Sequence, residues 1–573
     1  MKKNINIALA VIVSATLVSC NALKKMAKRM DEVKYEVTPN PMEMHGEQIE
    51  ITVSGSFPEK YFHKKVHGVI TPILKYDGGE EKFASFALKG EASEAEGTVI
   101  KYEAGGKFTH TAKIPYKEGM DVATLDLSLE GSYKKKTKVF DPVKVADGTV
   151  ITPRLVRSDD KPILGKDEFK PKHPKSIFAD INYIVNTTSP VSGDLNKDDI
   201  KSLKSKVKEL TKNPKIVFTQ VYTEAYASPE GELSKNDNLA NERAEHGGKT
   251  IGGYLKSAKI EAAKAPEFYV GKGKGEDWDG FKKLMTASEI KDKELILRVL
   301  EMYTDLTKRE EEIKNMAATY QEVAKKILPE LRRSENWVKY DSLSRTNEEI
   351  KALLGSDYKK LAAEEILYAA TLTNDLGEKE AIYKKFVDAY PNDWRGPNNI
   401  GYIHVMKNSL GTAKSEFEKA DKLKASNPIV MNNMGVIARL NGDLEKAMEY
   451  YNKASGAGSE VNHNKGIVNI IQGNYADAVS NFGGTSSFNG ALAQTLNGNP
   501  DGAAKTIDNS DAKDDADAYY LKAIVGARTS NKDMLVNNLK TAISKDSKFK
   551  EKAKRDAEFI KYRSDSEFQA ATN

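Results

Sequence analysis

Residues 225–244 read AYASPEGELSKNDNLANERA, a Ser228-Pro-Glu230-Gly turn followed by Asn236-x-x-Leu239-x-x-x-Arg243-Ala244, just where a helix is expected to begin. An arginine near a helix start is suited to carboxylate recognition. Its guanidinium offers a planar fork, and the exposed amides and positive end of the helix favour the same anion. Other chemistry is thin. The eight histidines show no ligand spacing such as H-E-x-x-H, and GKGKGEDWDG lacks the G-K-[ST] ending of a phosphate loop. An enzyme is therefore the weakest function class, and neither cofactor nor metal is expected. Lys plus Arg is 88 against 83 for Asp plus Glu, interspersed, so the net charge of +5 gives no case for nucleic acid.

The chain opens MKKNINIALAVIVSATLVSCNALKKM, with Lys2 and Lys3 before an apolar run from Ile7 to Leu17 that is too short for a permanent membrane helix. The run ends at Leu17-Val18-Ser19-Cys20, and Cys20 is the sole cysteine. This resembles a bacterial lipobox, which implies cleavage after residue 19 and acylation of Cys20. Several acyl chains at one site give stable membrane anchoring. Disulfide and thiol chemistry are then closed. Position 21 is Asn rather than the Asp that retains many lipoproteins in the inner membrane, and the following ALKKMAKRM is basic rather than acidic. The expected place is the outer membrane, with the body in the periplasm.

The elements that must carry these residues fall into three regions. After a signal peptide (1–19) and a linker (20–34), residues 35–156 alternate with period two. Ile49, Ile51 and Val53 share one face, as do Leu125, Leu127 and Leu129. This predicts a β-sandwich or two small ones in series. Residues 157–341 mix strands (SIFADINYIV, KIVFTQVYTEAYAS, KAPEFYVGKG) with amphipathic helices, one burying Ile200, Leu203, Val207 and Leu210. The order β-α-β-α-β predicts an α+β sheet with helices on one side. A helical stretch from Ile290 to Leu331, with Leu295, Val299 and Tyr303 at helical spacing, closes the region.

Together the YASPEG loop, the Asn236–Ala244 motif, GEDWDGFKKLMTASEI and ILPELRRSENWVKY resemble a Bacteroidetes-type branch of the OmpA-like peptidoglycan-associating domains. The resemblance implies that loop and helix start receive diaminopimelate of the wall's stem peptide, with Arg243 on its carboxylate. The family's loop Asp, which takes the ammonium, is replaced here by Ser228, with Glu230 and Asp237 nearby as compensating acids. Asn236 opens the motif. Two readings stand open: wall binding, or a retained fold that no longer binds.

A linker is expected over 342–356, and a repeat fills 357–573. Gly401, Ala413, Phe417 and Ala420 recur as Gly435, Ala447, Tyr451 and Ala454, each 34 residues on, and Gly466, Ala478 and Phe482 follow 31 residues later. This period resembles tetratricopeptide repeats, five or six of them. Small residues let paired helices pack, and the aromatic is expected to fill the gap to the next repeat. Asn398 and Asn399 recur as Asn432 and Asn433. They are either grips for a peptide backbone on a concave face or solvated polar positions.

The fold class expected is multidomain: a β-sandwich region, a central α+β domain and an all-α superhelix. The function expected is a non-enzymatic envelope scaffold lipoprotein that binds peptidoglycan and, through its repeats, a protein partner. The alternative is a scaffold subunit of an outer-membrane assembly or secretion machine whose central domain has lost the wall.

Overall fold

The computed structural model describes residues 22–573, so the expected signal peptide and Cys20 lie outside the described residues. The described residues form two compact units, 22–166 with 375–573, and 167–374.

In the first unit, eleven strands form one sandwich: β1 (Lys34–His45), β2 (Gln48–Phe57), β3 (His67–Tyr76), β4 (Gly79–Lys82), β5 (Phe86–Gly90), β6 (Thr98–Ile100), β7 (Gly106–Pro115), β8 (Ala123–Tyr133), β9 (Lys136–Val139), β10 (Val143–Asp147) and β11 (Thr149–Val150). One sheet runs β11-β1-β2-β7. The other runs β10-β8-β3-β5-β6, with β4 paired to β3 and β9 to β8. Side chains alternate across a strand, so Ile49, Ile51 and Val53 of β2 meet Leu125, Leu127 and Leu129 of β8 in a single core. Leu23 and Met26 are buried in that same core, and the Tyr61 hydroxyl donates to the Met26 carbonyl at 2.9 Å. The expected linker is thus packed structure from residue 23 onward.

The helical part of this unit starts at Leu376–Ala389. Five antiparallel pairs follow: Arg395–Met406 with Leu410–Leu423, Pro428–Leu440 with Leu444–Lys453, Ser459–Gln472 with Tyr475–Phe482, Phe488–Leu496 with Pro500–Asp508, and Ala516–Arg528 with Lys532–Lys545. Two further helices, Lys548–Arg555 and Ser566–Thr572, cover the last pair. Ala413, Phe417, Ala420, Ala447, Tyr451 and Ala454 are fully buried. The aromatic packs both on its own pair and toward the next: Phe417 shares a core with Val430 and Val436, and Phe482 with Phe488 and Ala491. A β-carbon at Gly401 would stand 2.5 Å from the Phe417 ring, and one at Gly435 2.5 Å from Tyr451. At Gly466 the figure is 2.6 Å from Phe482. Each aromatic lies on the glycine of its own pair, and any larger residue there would force the helices apart. The sandwich packs on these repeats: the His45 and Tyr475 rings meet edge-on at 4.7 Å, and Arg555 pairs with Asp121 at 3.2 Å.

The second unit is built on β12 (Lys172–Asn182), β13 (Ile216–Ala227), β14 (Tyr269–Glu276) and β15 (Arg333–Leu343), in the order β12-β15-β13-β14. β15 is antiparallel to both neighbours, and β13 and β14 are parallel. Helix Asp198–Leu210 buries Ile200, Leu203 and Val207 and keeps Leu210 half-buried at the edge. Helix Leu233–Ser257 buries Ile251 and Leu255 in the same core. Residues 278–331 form several short helices with their own core of Trp278, Phe281, Met285, Ile296 and Val299. Leu295 is 49% exposed, so the inward stripe runs through Ile296, Val299 and Leu300 instead.

Three expected boundaries move, the first being the start of the repeats, since residues 357–374 belong to the second unit. Residues 157–166 belong to the first unit. The expected linker 342–356 is the end of β15 followed by helix Asn347–Ser356, whose start is fixed by a Thr346–Glu349 capping box.

Candidate functional site

The first helix of each of the first four repeat pairs carries an asparagine at one position: Asn399, Asn433, Asn464 and Asn489. All four are buried and point at one extended segment of the chain itself, Arg157–Gly165. Asn399 Oδ1 accepts the Gly165 N–H at 2.7 Å and its Nδ2 donates to the Gly165 carbonyl at 2.9 Å. Asn433 does the same for Ile163 at 2.7 and 2.8 Å, and Asn464 for Lys161 at 2.8 and 3.0 Å. Asn489 holds Arg157 at 2.8 and 2.9 Å. The segment runs against the repeat order, and over the first three repeats each step takes two residues. Alternate residues of an extended chain present their polar groups to the same side about 6.6 Å apart, so a side-chain amide can replace a neighbouring strand. Pro162, which has no N–H, falls between two gripped residues.

The preceding position in each helix adds a second row. Asn398 donates to the Ile163 carbonyl at 3.2 Å and Asn432 to that of Lys161 at 2.9 Å. His463 Nε2 lies 3.0 Å from Asp159, and the Arg157 guanidinium stands 4.2 Å over the Phe488 ring. The amides also bond one another: Asn433 donates to Asn398 at 2.9 Å, and Asn464 to Asn432 at 3.0 Å. A buried polar network with its members satisfied fixes one arrangement strongly. These asparagines are therefore backbone grips, not solvated positions.

Side chains of the segment are read too. Asp160 and Arg439 form a buried ion pair, with Nε donating at 2.8 Å. Burial pushes the Asp160 carboxyl up, against the pull of Arg439. Arg157 pairs with Asp515 at 2.9 Å and with Asp517. Ile163 is buried with Phe417, Val430 and Tyr451. A β-carbon at Gly165 would come within 2.7 Å of Arg395.

In the second unit, the helix carrying Arg243 starts at Leu233, not at Asn236. Arg243 is therefore in its third turn, about 15 Å from the amino end, and the free amides there cannot share an anion with it. Its guanidinium is fully buried. Nε donates to the Thr187 carbonyl at 3.1 Å, Nη1 to Tyr226 at 3.0 Å and Nη2 to Ile184 at 3.2 Å, with the Tyr183 ring 5.3 Å away. Burial lowers its pKa to about 10, so it stays charged at neutral pH.

Ser228 is buried and donates to Glu230 at 2.5 Å, while Arg332 holds the same carboxylate oxygen at 2.7 Å. Asn236 Nδ2 donates to the Ser228 carbonyl at 3.3 Å and to Glu276 at 2.8 Å. Asp237 is exposed on the helix. The motif thus ties loop to helix through internal bonds.

Residues 429–457 match the tetratricopeptide repeat family. No curated protein matches the chain. Among solved structures, a tetratricopeptide repeat protein from Parabacteroides merdae is 14% identical at a TM-score of 0.29, the match covering 36% of this chain and 90% of that one. YrrB, described as a TPR protein with an unusual peptide-binding site, is 19% identical at 0.23, covering 37% and 100%. PilF of Pseudomonas aeruginosa is 15% identical at 0.27, covering 39% and 98%. Scores of this size carry no argument. The repeat assignment stands on the family match and on the helix pairs.

Asn464, Asn489 and Arg439 were not picked out from the sequence. Asn464 follows Asn433 by 31 residues, the step that separates Gly435 from Gly466, so the register already pointed to it. Asn489 comes after a shorter step of 25 and was hidden by it.

Proposed function

We propose that the chain is a non-enzymatic scaffold lipoprotein of the outer membrane, with its body in the periplasm, that works by holding a protein partner. The observation that carries this reading is the asparagine-lined groove, which grips an extended main chain at both its donors and its acceptors. Tetratricopeptide arrays use such inner faces for protein contacts. Anchoring rests on the lipobox-like run ending at Cys20, and the outer membrane on Asn21.

For the central region we take the retained-fold reading over wall binding. The family's acidic residue is Ser228 here, and Arg243 is engaged by three carbonyls in the interior. One observation favours the other reading: Arg243 is a desolvated cation, and an incoming carboxylate would relieve it.

The test is fractionation and in-cell cross-linking of the wild type and Cys20→Ala, with sedimentation of the wild type and Arg243→Lys on purified peptidoglycan. The wild type is expected in outer membranes, cross-linked to a protein, and Cys20→Ala is expected to leave them. Neither wild type nor Arg243→Lys is expected to sediment. Sedimentation of the wild type that Arg243→Lys abolishes would restore wall binding, and a protein with no cross-linked partner would sink the scaffold reading.

A further inference from the structure

The asparagine ladder holds the segment by its main chain, apart from a 2.7 Å bond from Asn489 to the Asp159 carboxylate, yet the segment it holds is not interchangeable with any other. Three of its side chains and one glycine meet built receptors. Arg157 lies on Phe488 and pairs with Asp515 and Asp517. Asp160 is buried against Arg439. Ile163 enters the core between the first two repeats, and Gly165 fits where no β-carbon could. Pro162 sits at a position whose N–H no asparagine takes. Receptors for an arginine, an acid, an aliphatic residue and a glycine at fixed spacing make up a peptide specificity, written in the chain's own sequence as Arg157-x-x-Asp160-x-x-Ile163-x-Gly165.

We propose that the groove is a peptide-binding site whose resident ligand is this internal segment. A partner enters it in trans with an extended stretch of the same chemistry, as the resident segment leaves. The reading rests on the scaffold function above and names the partner's chemical class. Backbone gripping gives affinity with little regard to sequence, while the buried Asp160–Arg439 pair and the Ile163 pocket discriminate. An uncompensated Arg439 in the groove rejects a peptide without the acid. The resident segment is tethered, so it competes at an effective concentration on the order of millimolar. The groove is therefore closed to weak ligands and opens to a matching one when that tether is outcompeted or the segment is disabled.

The test uses a fluorescent synthetic peptide of residues 155–167 and the full chain lacking its signal segment. In one variant the resident segment is disabled by Asp160→Lys with Ile163→Asp, which leaves every groove residue in place. The peptide is expected to bind this variant at least tenfold more tightly than the wild type by fluorescence anisotropy. Adding Arg439→Ala to the variant should remove that gain. Equal binding to wild type and variant, or a gain that survives Arg439→Ala, would overturn the proposal.

Should the variant lose helix signal by circular dichroism, the wild-type chain decides at millimolar peptide. Saturable binding of the native peptide, with none of a peptide carrying Asp160→Lys, supports the proposal, and no difference between the two peptides overturns it. This assay in purified protein is independent of fractionation and cross-linking, so its failure leaves the envelope scaffold reading intact.

Discussion

Asn433 holds Ile163 by both of its backbone polar groups, accepting the N–H at 2.7 Å and donating to the C=O at 2.8 Å across 270 residues of sequence. Both partners are buried. Asn433→Ala removes both bonds and leaves the Ile163 N–H without its acceptor in the interior. A loss of about 1–3 kcal/mol of stability is expected, read as a lower midpoint in urea unfolding of the first unit. An unchanged midpoint would mean that the segment does not depend on the ladder.

The repeat packing makes two opposite predictions. Ala447 is fully buried, so Ala447→Leu overfills the contact between paired helices and should cost about 1–3 kcal/mol. Tyr451→Phe should cost nothing or stabilise. The Tyr451 hydroxyl is buried with no hydrogen-bond partner among the described residues, and phenylalanine already stands at the equivalent positions 417 and 482. Thermal unfolding of both variants checks the pair. A large loss in Tyr451→Phe would show that the hydroxyl is held.

Asp556 gives the covering helices a pH dependence of definite sign. Burial, and then the nearby Glu558 charge, raise its pKa to about 6, while the Tyr520 hydroxyl donates to it at 2.7 Å. The folded value lies above the ordinary carboxylate value of about 3.9. Its stabilising contribution is therefore full below pH ~4 and lost as pH rises through 6. Two pKa units correspond to roughly 2–3 kcal/mol. Asp556→Asn should raise the unfolding temperature more at pH 7.5 than at pH 4.5. The same gain at both would contradict the assignment.

Arg243 should behave as a structural residue. Arg243→Leu leaves the carbonyls of Ile184, Thr187 and Tyr226 without their shared donor, and a loss of about 1–3 kcal/mol is expected in the second unit. Arg243→Leu that melts like the wild type would show that the guanidinium is dispensable for the fold.

Much of this architecture was legible in the sequence because it follows from periodicity. Alternating Ile49, Ile51 and Val53 can bury together only on a strand, and glycine with aromatic at constant spacing marks helix pairs. What was missed depends on contacts distant in sequence. β15 escaped notice because its inward positions begin with Ser334 and Asn336, polar residues that break the apolar alternation. Asn336 is tolerated there because its amide donates to the Ala179 carbonyl and its oxygen accepts from Thr223. The segment 157–165 has no periodicity of its own, since its order comes from the groove. The asparagine pairs left a grip and a solvated position equally open, and nothing local declared what they hold. The motif around Arg243 implied a helix start there, but the helix begins three residues before Asn236 and the guanidinium is held by the carbonyls of Ile184, Thr187 and Tyr226, which are distant in sequence.

The central claim is that the groove of the repeats is filled by the chain's own segment, and amide hydrogen exchange of the unmodified protein tests it most directly. The account predicts that the amides of Lys161, Ile163 and Gly165 exchange as slowly as those of helix Pro428–Leu440, because each is bonded to a buried asparagine and opens only when the repeats do. Exchange of these three amides at the rate of an open loop, with the repeat helices still protected, would contradict it.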